Sequence, residues 1–232
     1  MATFAEKVID FYRDLEFTGR LPDGISVMNP MKEDENVFAA ASEFYRKFYS
    51  DNNPRRIILG INPGRFGAGV TGIPFTDTIR MRDKCGLRPA GKRTYETSSV
   101  FIYEMIDKYG GTNKFYGDFF ISSVSPLGFT KTGPNGRALN YNYYDSRELA
   151  DAVYSFAADS IKRQLEFGII REKAFCLGTG KNFRFLSALN TEHRFFERII
   201  PLEHPRFIMQ YRARQKEDFI RTYIEILRTD KS

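Results

Sequence analysis

Asn62 stands in the run Gly60-Ile61-Asn62-Pro63-Gly64-Arg65-Phe66-Gly67, an amide side chain beside a tight Pro-Gly turn in a glycine-rich segment. An amide so placed orients a water or a ligand edge, and the glycines let a ligand approach the backbone closely. Downstream, Phe75 closes Thr71-Gly72-Ile73-Pro74-Phe75 with an aromatic ring able to stack on a planar ligand. His204, in Glu203-His204-Pro205-Arg206, adds an imidazole that donates a hydrogen bond or a proton near neutral pH. Each has a plainer role too: Asn62 closing an Asx-turn, Phe75 in the core, His204 capping a helix. Taken singly, Asn62 and Phe75 fit the plainer role slightly better.

Other chemistries find little support. The only histidines are His193 and His204, and the two cysteines, Cys85 and Cys176, form no Cys-x-x-Cys pair. No protein-ligated metal centre or disulfide framework is expected, and no cofactor is implied. Gly178-Thr179-Gly180-Lys181 resembles a P-loop only in part: position 175 is Phe175, and Asn182 stands where a Ser or Thr would hold magnesium. What remains is a glycine turn opening a helix near Lys181, either a plain turn or a seat for one backbone phosphate. The Gly64–Gly72 stretch lacks a helix after its glycines, so dinucleotide binding is weakly supported. No Gly-x-Ser-x-Gly elbow occurs, and the carboxylates are scattered with nothing to pair them.

The elements that must position these residues alternate helix and strand. Val8, Phe11, Tyr12 and Leu15 form an apolar stripe at helical spacing, and a second helix is predicted over about Glu35 to Phe48. Four short apolar runs read as buried strands: Arg55–Ile61, Asp118–Val124, Lys173–Leu177 and Arg198–Leu202. Thr76 is expected to cap a short helix through Cys85, and Ser98 or Ser99 to begin one that stops at Gly110-Gly111. A polar loop is expected from Ser125 to Tyr144, then a long amphipathic helix carrying Leu149, Val153, Phe156, Ile161 and Leu165. Phe219, Ile220, Tyr223, Ile224 and Leu227 mark a last helix. Buried strands alternating with helices indicate an α/β fold with a mainly parallel sheet, and 232 residues suit one domain, its N-terminal helices (1–50) packed on the core. In such sheets the ligand crevice lies beyond the carboxyl ends of the strands, where Asn62–Phe75, Ser123–Asn140, Gly178–Lys181 and His204–Arg206 all fall.

Composition adds a partner. Hydrophobic residues make up 42% and charged residues 28%, an ordinary globular balance. No apolar run approaches the roughly 18 residues that span a bilayer, and Met1–Leu15 is too charged for a secretory signal, so a cytoplasmic protein is expected. The net charge is +6, and residues 55–93 hold nine Lys/Arg against Asp77 and Asp83. That segment is either the footprint of a polyanion or a solvated basic face.

The run Gly60-Ile61-Asn62-Pro63-Gly64, followed by Thr71-Gly72-Ile73-Pro74-Phe75 and Arg82-Asp83, resembles the first motif of the uracil-DNA glycosylase superfamily. It is most similar to the single-strand-selective monofunctional (SMUG-type) branch, in a divergent bacterial form. His204-Pro205-Arg206 resembles the closing His-Pro-Ser-Pro motif, and Ser125-Pro126-Leu127 the middle Cys-Pro-Leu. The matches run in the right order over residues 57–228. The resemblance implies a three-layer α/β/α fold around a four-stranded, mainly parallel sheet, and a nucleoid-associated monomer acting on DNA in base excision repair. Two positions depart from the pattern: Ser123 replaces an asparagine that reads the uracil edge, and Arg206-Phe207 replaces the second Ser-Pro.

Hydrolysis of the bond between deoxyribose and base needs the base out of the stack, its developing negative charge stabilised and a water on the far face of the sugar. The resemblance assigns Asn62 to the water and His204 to uracil O2, with Gly60, Ile61, Gly64 and Phe75 around the base. Edge read-out falls to the backbone, Ser123 or Asn140. Pro63, Lys181 and Pro205 face the DNA backbone, and Arg206 or Phe207 wedges into the vacated stack. Asn62 is a poor base, which implies a competent but not fast, monofunctional enzyme. Gly64 stands where stricter uracil enzymes carry a tyrosine, which implies entry of 5-substituted uracils or deaminated purines. The Ser123 departure leaves a second possibility, a catalytically weak relative that binds damaged or single-stranded DNA.

Overall fold

The computed structural model describes residues 2–229. Four parallel strands form the central sheet: β2 (Arg55–Gly60), β3 (Phe119–Ser123), β6 (Ile169–Leu177) and β7 (Arg198–Leu202), in the order β3-β2-β6-β7. These are the four apolar runs of the sequence. β2 and β3 are buried along nearly their whole length, which is why they carry no polar alternation. The register sets Gly60 beside Ser123 and Leu59 beside Cys176, so the strands end together.

Parallel neighbours need crossovers, and helices supply them. α8 (Arg147–Leu165) links β3 to β6 and α9 (Lys181–His193) links β6 to β7; the two pack together, with α1 (Phe4–Arg13) against α8. A second group, α6 (Thr97–Tyr109), α10 (Pro205–Tyr211) and α11 (Lys216–Arg228), packs mutually and completes the three-layer α/β/α arrangement. α3 (Glu35–Phe48) has the bounds its spacing predicts. Phe4 and Val8 of α1 and Phe44 of α3 belong to the same buried cluster as Ile57 and Phe120 of the sheet.

Three expectations need correction. The stretch expected as one polar loop contains a hairpin, β4 (Gly128–Thr132) and β5 (Ala138–Tyr141), joined by β1 (Ile25–Met28) into a second, antiparallel sheet. Asp77, not Thr76, caps α5 (Thr78–Asp83), its Oδ1 accepting the Arg80 N–H at 2.8 Å. α6 starts at Thr97 with Glu96 as its N-cap, ahead of the expected serines.

Candidate active site

All four parallel strands point their carboxyl ends at one cavity of about 630 Å³. Eleven of the thirteen residues singled out in the sequence line it: Ile61, Asn62, Pro63, Gly64, Phe75, Ser123, Asn140, Lys181, His204, Arg206 and Phe207. Gly60 and Pro205 stand behind the wall. A Cβ on Gly60 would come within 2.7 Å of the Phe75 ring, so Gly60 makes room for that ring. Pro205 is the buried first residue of α10, where its fixed φ suits the helix start.

Phe75 is neither simply core nor freely exposed. Its backbone sits at φ 54°, a left-handed conformation that a phenylalanine rarely adopts and that costs about 1–3 kcal/mol. The turn is over-determined from behind: the buried Thr71 hydroxyl donates to the Thr76 carbonyl at 2.6 Å. The result is an aromatic wall over Gly60 with the His204 ring 5.8 Å away, centroid to centroid.

His204 does cap a helix: its Nδ1 accepts the Arg206 N–H at 3.1 Å. That bond puts the ring proton on Nε2 and leaves a donor for the cavity. Burial, with the Arg206 charge adding to it, pulls the imidazole pKa down to about 4, so the ring is neutral at neutral pH. The capping role and the donor role therefore reinforce each other. Below it, the Tyr223 hydroxyl of α11 donates to the Glu203 carbonyl and anchors the strand end.

Asn62 is held on three sides. Its Nδ2 donates to the carbonyls of Pro63 and Tyr141, each at 3.3 Å, and its Oδ1 accepts the Tyr143 N–H at 3.1 Å. Only the second lone pair of Oδ1 is left for a ligand. Ser123 is buried at the end of β3, and its hydroxyl makes no hydrogen bond among the described residues. Asn140 accepts the Arg65 N–H on its Oδ1 at 3.0 Å, and its Nδ2 lies 3.8 Å from where Gly64 would carry a Cβ. Phe207 and Tyr211 are exposed at the mouth with ring centroids 5.5 Å apart.

Four further residues contribute that were not among the expected site residues: Asn182, Tyr143, Tyr144 and Glu96. Asn182 is buried and bolts the strand ends together, donating to Leu177 O at 3.0 Å and accepting the Tyr143 hydroxyl at 2.6 Å. Its place in the first turn of a helix after glycines was visible, but its partners were not. Tyr143 is wholly buried, and Tyr144 lines the cavity with the Lys181 ammonium 5.8 Å from its ring centre. Glu96 places a carboxyl in the cavity wall; burial pushes its pKa up and Asp77 adds to this, while Ser99 and Arg206 oppose it. Nothing in Tyr95-Glu96-Thr97 signalled that position.

An α/β/α sandwich with an asparagine loop, an aromatic wall and a histidine-capped helix around one cleft is the architecture of a known class. The superfamily pattern "Uracil DNA glycosylase superfamily" matches residues 46–228, and the chain belongs to that superfamily. Among solved structures, it is similar to the wild-type crystal structure of SMUG2 from Pedobacter heparinus. The two share 53% sequence identity at a TM-score of 0.96, over 99% of this chain and 98% of that one. No curated protein matches the chain.

Proposed function

We propose that the protein is a monofunctional DNA glycosylase that hydrolyses the N-glycosidic bond of uracil in DNA. The observation that carries this reading is the convergence of Asn62, Phe75, Ser123 and a neutral His204 on one cavity, in a chain of this superfamily. A flipped uracil stacks on Phe75, and base–aromatic stacking contributes about 1–3 kcal/mol. The free Ser123 hydroxyl meets its polar edge. His204 Nε2–H donates to O2, a bond that strengthens as the base takes up negative charge. Asn62 Oδ1 orients the attacking water, while Arg206 and Phe207 at the mouth meet the neighbouring nucleotides and fill the vacated stack. Gly64 leaves space beside the base, which supports entry of 5-substituted uracils or deaminated purines. Lys181 is exposed and stacked on Tyr144, a poor setting for the desolvated amine that strand cleavage would need.

The engagement of the Asn62 amide, which leaves a single Oδ1 lone pair for water, favours a second reading, a relative that binds damaged DNA with little turnover. One experiment separates the two. End-labelled oligonucleotides carrying a single uracil, as single strands and opposite guanine or adenine, are incubated with the protein in excess EDTA and then treated with alkali. Breaks at uracil only after alkali are expected, and His204→Ala should slow excision by at least about tenfold with DNA affinity kept. Asn62→Ala should be equally slow and also less stable, because Tyr143 loses its acceptor. Retarded DNA without breaks would favour the binding reading. Breaks without alkali would overturn the monofunctional assignment.

A further inference from the structure

Resting on the glycosylase reading, we propose that Glu96 is the general base of the reaction, its carboxylate taking a proton from the water that Asn62 orients. The step needs a proton acceptor, and the two expected catalytic residues do not supply one. Asn62 is an amide with one lone pair to spare. His204 spends its only basic nitrogen on the Arg206 N–H and presents a donor to the cavity.

Two carboxylates lie in the cavity wall, Glu203 and Glu96. The Glu203 Oε1 accepts the Thr179 hydroxyl at 3.2 Å in the loop after β6, and of the two carboxylates only Glu96 packs against the glycines of the Asn62 loop. In Glu96, Oε2 accepts the Ser99 hydroxyl at 3.0 Å, while Oε1 accepts no hydrogen bond among the described residues. Oε1 lies 3.4 Å from where Gly64, two residues beyond Asn62, would carry a Cβ. A Cβ on Gly67 would collide with the same carboxyl, so the glycine loop is moulded around it. Its backbone is fixed as well, the Glu96 N–H donating to Asp77 Oδ2 at 2.8 Å. The exposed neighbours Tyr95 and Thr97 put Glu96 at the mouth, where the sugar of a nucleotide whose base fills the cavity must lie.

The chemistry balances without a further reactant. Water loses a proton to Glu96 Oε1 as its oxygen bonds to C1′. The C1′–N1 electron pair leaves with the base, and Glu96 returns its proton to solvent. The carboxylate also opposes the positive charge that builds on the sugar. The charged and polar groups facing it are Asp77 with its partner Arg80, Ser99 and Arg206. Burial and Asp77 make it more basic than an ordinary glutamate, which suits proton abstraction.

The test measures single-turnover uracil excision against pH for the wild-type protein, Glu96→Gln and Glu96→Asp, with DNA affinity from gel shifts. The wild-type rate should fall with pH in a limb lying above about 4, where His204 titrates. Glu96→Gln should lose that limb and run about 100-fold slower, with affinity kept to within about threefold, and Glu96→Asp should recover part of both. Glu96→Gln at the wild-type rate would overturn the inference, as would a slow Glu96→Gln that keeps the acid limb or loses affinity in proportion. In each of those cases an active wild type leaves the glycosylase reading standing. A wild type that never yields alkali-labile sites overturns both.

Discussion

A histidine that serves a departing base as a donor must keep its proton on the nitrogen facing the ligand, whatever its total charge. The Arg206 N–H on Nδ1 of His204 achieves this by geometry, and the pKa near 4 keeps the ring from gaining a second proton at neutral pH. The same shift has a consequence for stability. An unfolded histidine titrates at 6.5, so between about 6.5 and 4 the unfolded chain holds a proton that the folded one lacks. Stability therefore rises with pH across that window, and the contribution is lost as pH falls through it. Urea unfolding of the wild type and of His204→Ala from neutral pH down to 4 should show a steeper decline in the wild type. Parallel curves would mean that the imidazole titrates normally in the folded protein. Protonation of Nδ1 also removes the cap of α10, so in the folded protein Arg206 and Phe207 should loosen as pH falls to about 4.

Between residue and fold stand the elements that hold Asn62. Its amide bridges β2 to the far end of the β4–β5 hairpin through Tyr141 O and the Tyr143 N–H, and the Tyr143 hydroxyl continues to Asn182 on α9. Tyr143→Phe keeps the ring and leaves the buried Asn182 Oδ1 unpaired, a cost of about 1–3 kcal/mol. Thermal unfolding should shift down accordingly, and uracil excision should fall while the secondary structure is unchanged. An unaltered melting temperature would mean that water replaces the hydroxyl. This bridge also marks where the sequence stopped being legible. The four parallel strands were readable because each is a short apolar run with both faces covered. The hairpin was not: of Gly128–Thr132 and Ala138–Tyr141, the last two residues of β4 and the first three of β5 are exposed, and β1 meets it only through the distant pairing of Ile25–Met28 with residues 128–131. The same limit hid Glu96 and Asn182. A lone polar side chain carries no periodic signal, and its role is set by neighbours that only the folded chain brings to it.

At the scale of the whole molecule, the basic segment 55–93 divides into two parts. Arg55 is buried against the Phe4 and Tyr49 rings and paired with Asp51, and Arg56 reaches the Leu227 carbonyl. Arg80, Arg82 and Lys84 pair with Asp77, Asp83 and Asp107, and Arg65 donates to the Ala138 carbonyl. Most of the segment's charge thus holds the fold, a use that a count of residues does not distinguish from binding. Arg88, Lys92 and Arg93 are different: all three are exposed, and their side chains make no ion pair or hydrogen bond among the described residues. They precede Tyr95 and Glu96, so the loop delivers unneutralised charge to the mouth of the cavity. Each phosphate neutralised by such a side chain contributes about 0.7–0.9 to the slope of log affinity against log salt, because condensed counterions are released. Replacing all three with alanine should lower that slope by about 2 to 3, with single-turnover excision at saturating enzyme unchanged. A slope equal to the wild type's would show that the strand leaves the cavity along another face. The exposed Phe207 and Tyr211 of α10 would then mark its path, because aromatic stacking holds bases with little dependence on salt.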